Sequence, residues 1–177
     1  MSDVKFHRYR LPSLKGEGWA EVVLTEDGFF AAVSDYGNYA YHWTSMGVGD
    51  LRLFLLDCDG DYIRRKLDPS MVFNAERTVK NCRNVVGAAY RHAGNPRGTM
   101  DKEAVQDALE SLKDVDSEYD FVHWLDDYAR FFDDYYDLES RRPPDEIMYF
   151  VKLVLPRLQE AIRSELSEEE KKQAVTP

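Results

Sequence analysis

From Trp19 to Trp43 the chain alternates apolar and polar positions. In WAEVVLT, Ala20, Val22 and Leu24 fall on one face and Glu21 and Thr25 on the other, the period of a half-buried strand. Glu26-Asp27-Gly28 is a turn signal, and FFAAVS follows as a second strand. Asp35-Tyr36-Gly37-Asn38 is another turn, where Gly37 or Asn38 takes a positive φ cheaply. YAYHW then returns with Tyr39, Tyr41 and Trp43 on one face and Ala40 and His42 on the other. Trp19–Thr25, Phe29–Ser34 and Tyr39–Trp43 are therefore expected as consecutive antiparallel strands, with KFHRYRL as a fourth strand at the edge.

After Gly49 the period becomes helical. Asp50 is the expected N-cap of a helix whose buried stripe is Leu51, Phe54, Leu55 and Cys58. YIRRKL continues as a short helix after Gly60-Asp61. Ser70 is expected to cap a longer helix to about His92, with Phe73, Val79, Cys82, Val86 and Tyr90 on one face and Arg77, Lys80, Arg83 and Asn84 on the others. The stretch Ala93–Thr99 (AGNPRGT) reads as a loop and as the joint of the chain. Helices are expected over Asp101 to about Leu112, Glu118 to Leu138, and Pro144 to about Leu166, the last kinked or split at Pro156. EEEKKQAVTP reads as a charged, frayed tail. The fold class is α+β: residues 1–93 a β-meander with helices, residues 94–177 an acidic helical part, the two forming one compact unit.

Charge sharpens this division. Of the net −10, residues 1–100 carry 13 bases and 12 acids, while residues 101–177 carry 10 bases and 21 acids. Arg64 to Arg97 forms a basic middle, followed by the strongly acidic Asp114–Glu139. That segment holds ten acids against one base, Arg130, together with eight aromatics. Phe121, Trp124, Leu125, Tyr128, Phe131, Phe132 and Tyr135 step as one apolar stripe, which leaves Asp126, Asp127, Asp133, Asp134 and Asp137 outside it. Crowded carboxylates repel by a few tenths of a kcal/mol per exposed pair. Three readings account for them: a solvated face, a contact for a basic partner, or a mimic of nucleic-acid phosphates. Direct nucleic-acid binding by this part is disfavoured, because phosphate affinity comes from cations.

Several chemistries find no support. Cys58 and Cys82 form no disulfide framework and no zinc spacing. No apolar run approaches the roughly 20 residues of a membrane span, and no signal peptide opens the chain, so a cytoplasmic protein is expected. Asp57, Asp59 and Asp61 resemble the start of a calcium loop, but Tyr62 stands where glycine is required and Arg64–Lys66 oppose a cation. A turn with Asp59 or Asp61 capping the next helix is the better account. His7, His42, His92 and His123 have no partner at helical ligand spacing. No nucleophile, phosphate-loop or dinucleotide motif is present. No catalytic residue, metal or cofactor is therefore expected.

The string SDYGNYAYHW followed by FLLDCDGDYIRRKL resembles small proteins encoded by phages and prophages, over Phe29 to Leu67. That group brings no activity with it. The resemblance implies a bacterial cytoplasmic setting and a role in phage–host interaction. The expected function is a non-enzymatic inhibitor or interaction protein that docks on a host or defence protein with a basic surface. Its contact would be Asp126, Asp127, Asp133, Asp134 and Asp137, and the alternative contact is the hairpin Tyr36, Asn38, Tyr39 and Tyr41. A nucleic-acid mimic or associated regulator, or a small enzyme with an unrecognised carboxylate pair, are the other readings.

Overall fold

The computed structural model describes residues 4–92, 102–129 and 137–175. The chain forms two compact units, one from residues 1–70 and 143–177, the other from residues 71–142. The expected joint at Ala93–Thr99 lies outside the described residues.

In the first unit, β1 (Phe6–Leu11), β2 (Ala20–Thr25), β3 (Phe29–Ser34) and β4 (Gly37–His42) make an antiparallel meander in the order β1-β2-β3-β4. The strand period is borne out. Ala20, Val22, Leu24 and Phe30 are fully buried on one face, joined by Tyr9, Leu11, Ala32 and Trp43. Phe6, Arg8, Arg10, Val33 and Asn38 face solvent. Thr25 departs from the alternation: it is buried, and its hydroxyl accepts from Phe29 N–H and donates to Asp27 to hold the β2–β3 turn. Gly28 is required in that turn. It has φ of +108°, and a Cβ there would lie 2.1 Å from the Trp43 carbonyl oxygen.

Helix α1 (Leu51–Asp57) starts at Asp50, whose carboxylate accepts from Arg52 N–H. Helix α2 (Gly60–Leu67) starts at Asp59, which accepts from Tyr62 N–H. Asp57, Asp59 and Asp61 thus serve as helix end, cap and ion-pair partner, with Asp61 held by Arg64 and Arg65. After residue 142 the chain returns as α6 (Asp145–Tyr149), a π-helical turn (Phe150–Val154) and α7 (Leu155–Val175). Pro156 has no N–H and its ring crowds the preceding turn. The wider turn just before it, where Leu155 N–H reaches the Phe150 carbonyl, takes up the irregularity without breaking the helix. Phe150, Val154, Leu158 and Ile162 from this return join the sheet residues in one core. Phe30 meets Trp43 and Phe150 edge-on, at centroid distances of 6.1 and 6.5 Å. The expected frayed tail is instead helical to Val175, because Glu169 is clamped by Arg52 and Lys5.

The second unit begins with β5 (Val72–Phe73), which pairs with β6 (Arg141–Arg142). Helix α3 (Ala75–His92) starts later than expected from Ser70. Ser70 bonds Asp68 instead, and Asn74 Oδ1 accepts from Arg77 N–H at the true helix start. Then come α4 (Lys102–Ser111), a 3-10 turn (Leu112–Asp114) and α5 (Glu118–Tyr128). Val79, Cys82, Val86, Val105, Ala108, Leu112, Phe121, Trp124 and Leu138 form a separate core. The Trp124 indole N–H donates to the Ala108 carbonyl and Ser111 hydroxyl, both at 3.1 Å. Leu138 lies in a turn, so the acidic segment is not helical to its expected end; residues 130–136 lie outside the described residues. Among the described residues no helix is long and apolar enough to cross a membrane.

Phe150→Ala is expected to cost about 3–5 kcal/mol in urea denaturation, since a fully buried ring is lost from the centre of the first core. Gly28→Ala is expected to cost at least about 1–3 kcal/mol. Gly49→Ala, whose Cβ meets nothing within 4 Å, should stay within about 0.5 kcal/mol of the parent.

Candidate functional site

On α5, Ser117 and Asp120 form a reciprocal capping box that fixes the helix start. The bond from the Ser117 hydroxyl is the main reason the Asp120 carboxyl titrates below its ordinary range. The helix turns Phe121 and Trp124 inward and leaves Asp126 and Asp127 exposed, as the stripe predicts; Leu125 and Tyr128 are half-buried. Asp137 is exposed, while Asp133, Asp134, Arg130, Phe131, Phe132 and Tyr135 lie outside the described residues.

The acids of this unit divide into two groups. Arg141 pairs with Glu118 at 2.7 Å and Glu139 at 2.6 Å, Lys113 reaches Glu110, and Asp107 accepts from the Tyr128 hydroxyl. Asp114, Asp116, Asp126, Asp127 and Asp137 are exposed and have no cationic partner within 4 Å among the described residues. Asp114, Asp120 and Asp127 edge a cleft of about 250 Å³ whose lining includes Trp124, Tyr128 and His123. The acidic face therefore carries a concave site with carboxylates at its rim and aromatics in its wall.

Helix α3 lies against α4, as opposite charges across a short loop would favour. Yet among the described residues Arg77, Lys80 and Arg83 make no ion pair with those acids. Arg77 and Lys80 instead border a groove of about 460 Å³ with Asn74, Asn81 and Glu76.

In the first unit the alternative contact residues do not share one face. Tyr39 and Tyr41 turn toward the core: the Tyr39 ring meets Phe150 at 4.9 Å and its hydroxyl donates to the Tyr36 carbonyl, while Tyr41 packs on Trp43 at 4.7 Å. Burial pushes the Tyr39 hydroxyl up to about 12. Asn38 faces solvent on the other side. Tyr36 sits in the turn and stacks on Tyr149.

Sequence reading missed a polar network joining β1, α1 and α7. Arg52, 3% exposed, donates to Asp50 and, with both terminal nitrogens, to Glu169. His7 Nδ1 lies 3.0 Å from Glu165 Oε1, and the Tyr9 hydroxyl donates to Glu165 Oε2. The one local hint was a charge, Arg52, set among Leu51 and Leu55 on the apolar side of α1. His7, Glu165 and Glu169 bring ligand atoms within 4.8 Å of one another. Arg52 Nη1, however, lies 3.0 Å from Glu169 Oε1 and 3.5 Å from Glu165 Oε1, which is where a cation would sit. The network is a staple that already holds its own cation. Burial pushes the Cys58 thiol up to about 11 and the Cys82 thiol up to about 12, which disfavours their thiolate forms at neutral pH.

A family model described as a phage family matches residues 1–164, and the chain belongs to that family. No curated protein and no solved structure matches the chain.

The staple makes stability depend on pH. Burial raises the Glu165 pKa, but the bonds from Tyr9 and His7 and the charge of Arg52 outweigh it, and Arg52 bonding lowers that of Glu169; both fall below the ordinary 4.5. Depressed carboxyl pKa values give stability that is complete above the unfolded value and is lost as pH falls through the folded one. The melting temperature should therefore drop steeply below about pH 4.5. Glu169→Gln should be less stable at pH 7 and show a shallower acid dependence in thermal melts from pH 3 to 7.

Proposed function

We propose that this phage-family protein is a non-enzymatic interaction protein that docks on a host or defence protein through its acidic face and inhibits it. The observation that supports this reading most is the uncompensated charge. Asp114, Asp126, Asp127 and Asp137 are exposed without a counter-ion among the described residues, and Asp114 and Asp127 line one cleft, where like charges repel at a cost that a fold alone does not require. The cleft between Asp114 and Asp127, walled by Trp124 and Tyr128, suits a lysine or arginine inserted from a basic partner, since aromatic faces and carboxylates both attract a cation. Family membership supports the phage origin, and the partner remains defined by its chemistry, a basic protein surface.

The test is capture of the partner from phage-infected cells, followed by binding measurements with the purified pair. Replacing Asp126, Asp127, Asp133, Asp134 and Asp137 by asparagine should leave the melting temperature unchanged or raise it, as repulsion is relieved. The same change should weaken binding by at least about tenfold. The parent complex should dissociate near 0.5 M salt, where screening shortens to roughly 4 Å. Undiminished affinity of the asparagine variant overturns the reading.

A second reading rests on the groove beside Arg77 and Lys80. Salt-dependent retardation of DNA or RNA in a gel, lost in Arg77→Ala/Lys80→Ala, would favour a nucleic-acid-associated regulator instead.

A further inference from the structure

In the first unit, a groove of about 410 Å³ is lined by Gly16, Glu17, Asp35, Tyr36 and Tyr149. Its geometry is set by two turns and one helix end. Leu14 and Glu17 close a two-residue turn through backbone bonds of 2.7 and 3.2 Å, with Lys15 at φ 54° and Gly16 at φ +92°. Both positive φ values are those of the tight hairpin turn that glycine permits. A Cβ on Gly16 would meet nothing within 4 Å, so this rim is open. Asp35 is held by accepting from Trp19 N–H at 2.8 Å. Tyr36 follows it in the β3–β4 turn, and its ring stacks on Tyr149 at 5.6 Å and 29°.

Two features of the groove call for the same occupant. Tyr149 stands at the end of α6 with 49% of its surface exposed, an aromatic face left uncovered beside the buried Ile147 and Phe150. Glu17 and Asp35 have no cationic partner within 4 Å among the described residues. Arg157, near this region, has its guanidinium committed to the carbonyls of Gly18 and Pro12. A planar guanidinium satisfies both, because it stacks on tyrosine and pairs with carboxylates.

We propose that the Tyr36–Tyr149 groove is a binding site for an arginine side chain of a protein partner. The site is separate from the acidic face of the other unit and stands whether or not that face docks a partner.

The test uses the full chain and a short peptide, acetyl-Gly-Arg-Gly-amide, with its citrulline counterpart as the neutral isostere, followed by NMR of the tyrosine rings. The arginine peptide should shift the Tyr36 and Tyr149 resonances saturably, with Kd near or below about 1 mM. The citrulline peptide should bind at least about tenfold more weakly. Tyr149→Ala and Glu17→Gln/Asp35→Asn should each weaken binding about tenfold, whereas Tyr149→Phe, which keeps the ring, should bind like the parent. Tyr36→Phe likewise keeps its ring against Tyr149 and should bind like the parent. Asp114→Asn/Asp127→Asn should leave these shifts unchanged, which separates this site from the acidic cleft. Equal binding of the citrulline peptide, parent-like binding by Tyr149→Ala, or no saturable shift overturns the proposal.

Discussion

The first unit depends on the return of the C-terminal chain to its sheet. Four strands of six residues have one apolar face, and a sheet that presents Val22, Leu24 and Phe30 to water has no reason to persist. Cover for that face comes from α1, α2 and, above all, the last fifth of the sequence. Phe150, Val154, Leu158 and Ile162 supply the side chains that close the core, more than a hundred residues from the strands they cover. The π-helical turn at Phe150–Val154 is part of this solution. It carries Phe150 and Val154 into the core while letting Pro156 continue the helix.

Electrostatics then divides the molecule into settled and unsettled charge. In the first unit, Arg52 sits almost fully buried among Asp50, Glu165 and Glu169, with donors matched to acceptors. A buried guanidinium is tolerable only when so satisfied, and here it ties α1 to a helix end that would otherwise fray. In the second unit, Arg141 settles Glu118 and Glu139 but leaves the aspartates of α5 and its neighbouring turns alone. That unpaired charge is the feature on which the proposed contact rests.

The same logic links the two proposed contacts. The cleft beside Trp124 and the groove beside Tyr149 each combine an aromatic wall with carboxylates at the rim. Both suit a cationic protein surface, since aromatic faces and carboxylates each attract a cation.

Local pattern determined the strands, their turns, the caps at Asp50 and Asp59, and the division of α5 into a buried stripe and an exposed acidic face. These follow from backbone periodicity and short-range hydrogen bonding, which neighbouring residues specify by themselves. Ser70 misled because its hydroxyl had a nearer partner in Asp68, and Asn74 capped the helix instead. The charged tail misled because Glu169 has no local partner until Arg52, far away in sequence, is placed against it. The Tyr36–Tyr149 groove was equally hidden: Tyr36 was visible as a turn tyrosine, but Glu17 and Tyr149 carry no local signal. Tertiary structure alone decided these, because a site made by residues far apart in sequence exists only after the chain between them has folded, and pairwise chemistry cannot be read from spacing.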